Sequence, residues 1–73
     1  SGLAGIAHWI NTYYHIKEKD HLDKNCDLVR ALKVWVDEEY AAGRVTVLTD
    51  EELTAQIKET CAALGIAMPG SDE

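Results

Sequence analysis

Three groups of side chains in this sequence have types and spacings that could do chemistry: His8, Asn11 and His15; Cys26 and Cys61; and the rings of Trp9, Tyr13, Tyr14, Trp35 and Tyr40. At about 100° of helical rotation per residue, His8, Asn11 and His15 fall on one polar side of a helix, where they could face a common ligand. The histidines are two turns apart, not the i, i+4 of a chelating pair, so no metal site is expected from them. A solvated helix face is the plain alternative. The cysteines stand 35 positions apart with no CxxC spacing. A disulfide between two helices is geometrically open to them, and the plain reading is buried, reduced thiols. The aromatic set reads first as core filling; exposure of two of its rings together would mark an interface.

Catalysis by this chain alone is not expected. It has no nucleophile elbow, phosphate loop or zinc pattern. With 73 residues and 47% hydrophobic content, it fits one small domain, and such a domain buries only roughly 60% of the surface its unfolded chain exposes. A core that thin offers little room for a pocket of ~300 Å³ or more. The formal charge of -6, from thirteen acidic and seven basic residues, argues against nucleic-acid binding, which needs Lys and Arg against phosphates. The acids are spread along the chain and read as a solvated surface. The apolar runs fall far short of the ~18 residues of a membrane span, and nothing resembles a signal peptide, so a soluble cytoplasmic protein is the default. Met68 is the sole methionine, and a first residue other than Met suggests a piece of a longer product.

The elements that must position these groups can be read from periodicity. Leu28, Val29, Leu32, Trp35, Val36 and Tyr40 fall within one arc of a helix over 24–42, wider than the stripe of a surface helix, which predicts a central element touching more than one neighbour. Asp23 is the preferred N-cap, and Gly43 ends the helix. A first helix over 3–16 places Leu3, Ile6, Ile10, Tyr13 and Tyr14 on one side, with Trp9 at its margin. Gly5 within it implies packing, or another backbone's approach, that favours a missing side chain. Residues 17–24, KEKDHLDK, read as a solvated connection. The RVTVL run of Arg44–Leu48 alternates like a strand but has none to pair with, so it is expected to be an extended connector that plugs the core with Val45, Val47 or Leu48. Thr49 and Glu52 form a capping box for a third helix over 50–64, where Leu53, Ile57, Cys61 and Leu64 make a narrow seam before Gly65. The expectation is an all-α, three-helix subdomain over 1–68 and a disordered tail over 69–73.

The runs SGLAGIAHWINTYY and VWVDEEYAAGRVTVLTDEEL, together most of residues 1–53, resemble the segment after the catalytic barrel in α-isopropylmalate and homocitrate synthases. The resemblance implies a part of an enzyme: a barrel holding a divalent metal ion condenses an acyl-CoA, usually acetyl-CoA, with a 2-oxo acid. The helical subdomain after it aids dimer contacts with a second protomer or covers the active site. Metal ligands and barrel residues lie outside this sequence, so no cofactor is expected in this chain. Many relatives carry SG-x-H, whose His assists proton transfer at the partner's site; here Ser1 and Gly2 match but the fourth residue is Ala4. His8, one turn further along the same face, becomes the catalytic candidate, with Asn11 and His15 as substrate- or partner-facing candidates. Leucine biosynthesis is the pathway implied by the isopropylmalate branch. The competing reading is a free-standing helical protein-interaction domain.

Overall fold

A computed structural model describes residues 2–70. It contains α1 (Leu3–Tyr13), α2 (Asp27–Ala41) and α3 (Asp50–Leu64), and no strand among the described residues. The all-α class and the central place of the second helix are as the periodicity predicts, since α2 packs against both α1 and α3. Leu28, Val29 and Leu32 of α2 close with Ala7 and Ile10 of α1 and Ile57 and Cys61 of α3 into the buried core. Each fully buried Leu, Ile or Val contributes about 1.5–3 kcal/mol of transfer free energy. Trp35 and Val36 are half-buried at the edges of the α2 arc. Tyr40, at its end, is 43% exposed, because the core stops a turn before it.

All three helices end in one way. Ile16 N–H donates to the Asn11 carbonyl at 2.9 Å and His15 N–H to Thr12 at 3.2 Å, the paired bonds of a Schellman motif. Arg44 and Gly43 make the same pair to Glu39 and Tyr40 after α2, as do Ile66 and Gly65 to Cys61 and Ala62 after α3. The motif needs one residue of positive φ, and the three are His15 at 54°, Gly43 at 109° and Gly65 at 71°. The glycine stops match the sequence reading. The first helix stops at Tyr13, short of the expected Ile16, because His15 takes the left-handed turn without being a glycine. That conformation costs a non-glycine residue roughly 1–2 kcal/mol, and it swings Ile16 onto the core.

The second helix starts at Asp27, later than the expected residue 24, and Asp23 is not its cap. Cys26 holds the N-cap position without a side-chain bond. The Asp23 carboxylate instead accepts from Asn25 N–H at 2.9 Å, and its carbonyl accepts from Cys26 N–H at 3.0 Å. Asp23 thus closes an Asx turn that uses up residues 24–26 before the helix begins. The third helix opens as predicted: Thr49 Oγ1 accepts from Glu52 N–H at 3.1 Å and Glu52 Oε1 accepts from Thr49 N–H at 2.9 Å.

Polar side chains fasten both connectors. Between α1 and α2, which are linked by a 3-10 turn at Glu18–Asp20, Leu22 N–H donates to Asn11 Oδ1 at 2.8 Å and Asn11 Nδ2 donates to the Leu22 carbonyl at 3.3 Å. Asn11 is only 8% exposed, so it belongs to the interior and not to the solvated face on which the sequence places it. Between α2 and α3, Arg44 donates to both carboxylate oxygens of Glu52, at 2.6 and 2.9 Å, and to Glu39 at 3.4 Å. It also donates to the carbonyls of Thr46 and Val47 at 3.0 and 3.1 Å. With those carbonyls turned toward Arg44, Val45 and Val47 stand 93% and 82% exposed. Of the three candidates for the plug, Leu48 is the half-buried one, and it lines a groove instead of joining the core cluster. At the other end, Met68 packs against the core, and a turn at residues 69–70 places Gly70 beside Tyr14; the tail was expected over 69–73. Its residues 71–73 lie outside the described residues.

Arg44, chiefly, and the Thr49 N–H hold the Glu52 carboxyl at about 2, below its ordinary 4.5. A carboxyl depressed in the folded state stabilises above its unfolded pKa and loses that contribution as pH falls toward the folded one. Thermal midpoints followed by circular dichroism are therefore expected to drop between pH 4.5 and 2, and Arg44→Ala to flatten that drop relative to the unaltered chain. For the other connector, Asn11→Ala orphans both backbone groups of Leu22 and is expected to cost about 1–3 kcal/mol in urea unfolding; an unchanged midpoint would mean that water replaces the amide.

Candidate functional site

The exposed side of α1 carries His8, whose side chain extends into solvent. His15, also exposed, has left the helix and sits on the left-handed turn that ends it. Asn11 lies between them in sequence but is buried and engaged by Leu22 on both sides of its amide. The structure therefore does not gather the three around one ligand. It leaves two exposed imidazoles, one on a helix and one beyond it.

Among the described residues, no side-chain hydrogen bond or ion pair joins His8 to a second reactive group. Burial raises the Cys61 thiol above its ordinary pKa, which disfavours the nucleophilic thiolate. Burial also raises Tyr14, reinforced by Tyr13 and then Cys61, and its hydroxyl is enclosed without a hydrogen-bond partner among the described residues. Both cysteines are free thiols. Among the described residues, no three or more His, Cys, Asp or Glu side chains gather where a metal ion could sit. No described helix is long and apolar enough to cross a membrane.

What the fold does build is an open groove of about 470 Å³ between α1, α2 and the 44–49 connector. Ile6 and Trp9 of α1, Leu32, Val36 and Tyr40 of α2, Val47 and Leu48 of the connector, and Asp50 and Leu53 of α3 line it. Gly5 lines it as well and is exposed. The Trp9 ring stacks on Tyr13 with centroids 4.7 Å apart, and Tyr13 and Tyr40 are each 43% exposed. Trp35 faces a separate hollow with Gln56 and Glu59 between α2 and α3. The over-wide apolar arc of α2 was the sequence signal for this groove. The contribution of the connector carried no such signal, because it depends on which way Arg44 turns the valines.

Comparison with known proteins gives two informative relatives. Over 53 residues, 73% of this chain, the sequence is 51% identical to a citrate (Re)-synthase of Clostridium kluyveri, of which the match covers 12%. Over 59 residues, 81% of the chain, it is 37% identical to a citrate (Re)-synthase of Syntrophus aciditrophicus, of which it covers 9%. The chain spans about a tenth of the length of these curated relatives. No family model matches it, and no solved structure does. The likeness agrees in its broad form with the resemblance carried by the WIN and WVDEEY runs, and it runs to citrate (Re)-synthases within the same acyl-condensing superfamily as the isopropylmalate and homocitrate synthases.

Proposed function

We propose that this chain is a helical subdomain of a Claisen-condensing acyltransferase and that the parent enzyme forms citrate. The observation that carries this reading is the 51% identity to a citrate (Re)-synthase over 73% of the chain. Citrate is the product of adding an acetyl unit to a four-carbon 2-oxo dicarboxylate, so the proposed substrates are acetyl-CoA and oxaloacetate. The two named relatives favour that acceptor over those of isopropylmalate or homocitrate synthases, and with it a role outside leucine biosynthesis. The thioester methyl gives up a proton, its carbon bonds to the 2-oxo carbon, and water then releases CoA from the thioester.

This chain's share is that of an appendage. The divalent ion proposed for the parent would be held by the barrel, where it would polarise the 2-oxo carbonyl. The subdomain would pack on that barrel, reach a second protomer and present His8, an exposed imidazole, toward the reacting centre. An imidazole is well suited to proton transfer near neutral pH. The open groove favours the competing reading, a free-standing interaction domain, only if no barrel precedes the chain in its own polypeptide.

The test is an assay of the full-length protein. Acetyl-CoA and oxaloacetate are expected to yield citrate and free CoA; absence of citrate with a folded enzyme overturns the parent assignment. In the same enzyme, His8→Gln is expected to lower kcat by ~10²-fold or more, the usual size of a general acid–base contribution, with KM little changed. Full turnover by that variant removes His8 from the mechanism and leaves the parent assignment standing.

A further inference from the structure

We infer that the groove between α1, α2 and the 44–49 connector is a docking site for a basic amphipathic helix. The inference stands on the groove itself and does not draw on the activity proposed for the parent. The lining is mostly apolar, with Ile6, Trp9, Val36 and Leu53 among its residues, and it includes one carboxylate, Asp50. Among the described residues, no cation of the chain pairs with Asp50: Lys33 serves Asp37, and Arg44 serves Glu39 and Glu52. An occupant that fills the trough with apolar side chains and meets Asp50 with a Lys or Arg satisfies both features. A helix supplies such anchors at i, i+3 or i+4 and i+7 along one face.

Two structural details suit a helix in particular. Gly5 has no side chain on the exposed wall, so a facing helix backbone can approach closely there. The connector wall is already ordered, because Arg44 and Tyr40 both donate to the Thr46 carbonyl and Arg44 to that of Val47. A wall ordered in advance has less conformational entropy to lose on binding. Charge selects among occupants. At a net -6, a second copy of the chain and an anionic lipid surface are both repelled, whereas a basic segment is attracted and steered.

The two tryptophans make the test specific, since Trp9 lines this groove and Trp35 lies in the separate hollow between α2 and α3. The 15N-labelled chain would be titrated with a synthetic Leu/Lys amphipathic helix and, in parallel, with its Leu/Glu counterpart. Saturable shifts of the Trp9 indole N–H with Trp35 still, from the Leu/Lys peptide only, are the expected result. Asp50→Lys is expected to weaken binding by about fivefold, the upper range for one exposed charge pair. Gly5→Leu, at an exposed helical position where folding can be checked by circular dichroism, is expected to abolish the Trp9 shift. Equal movement of both indoles, equal binding of the Leu/Glu peptide, or unweakened binding by both variants overturns the proposal. So does the absence of any shift at millimolar peptide. Trp9 shifts that depend on protein concentration alone would assign the groove to a second copy and equally overturn it.

Discussion

Everything in this small domain depends on α2 being sandwiched. Leu28, Val29 and Leu32 are buried because α1 brings Ala7 and Ile10 to one flank and α3 brings Ile57 and Cys61 to the other. Neither outer helix could bury its apolar stripe without α2. In a domain this size the hydrophobic gain only narrowly exceeds the entropy of ordering the chain. The connectors therefore cannot be left loose: Asn11 holds the first at Leu22, and Arg44, bridging Glu39 and Glu52 and joined by Tyr40 at the Thr46 carbonyl, holds the second.

These two fastenings have different consequences. The Asn11 amide is spent internally, satisfying backbone groups that would otherwise be buried without partners. Arg44 works at the surface, and by drawing the Thr46 and Val47 carbonyls toward itself it turns Val45 and Val47 into solvent. The connector that was read as core filling becomes part of the rim of an open groove. A chain with this thin a core leaves apolar surface at Trp9, Val36 and Leu48 that it cannot cover itself. That surface suits a module that works against a larger partner, in keeping with a segment matching about a tenth of a citrate (Re)-synthase.

The helices, their order, the central place of α2, the Thr49–Glu52 capping box and the stops at Gly43 and Gly65 were legible in the sequence. Each is decided by local chemistry: the spacing of apolar residues, a side chain that bonds the nearest free N–H, or a residue without a β-carbon at a left-handed turn. The end of α1 obeys the same Schellman geometry as the other two. It was not legible because His15 supplies the positive φ at a cost that only packing of Ile16 and its neighbours can offset. The start of α2 escaped for a related reason: Asp23 has the right side chain for a helix cap but spends it on a turn.

What the tertiary structure alone decided was the direction in which particular side chains point. Periodicity put Asn11 with His8 and His15, because 3.6-fold rotation separates polar from apolar residues but cannot tell a solvated amide from one paired with a distant backbone. Leu22 is eleven residues away from Asn11, and only the folded connector brings its N–H and carbonyl into reach. In the same way, alternation in RVTVL named Val45, Val47 and Leu48 as candidates for the core, and the guanidinium of Arg44 chose among them. Sequence determined which segments are helical and which residues stop them, since those outcomes rest on neighbours a few positions apart. The groove, the burial of Asn11 and the exposure of the valines rest on contacts between segments, and those exist only once α1 and α3 have closed on α2.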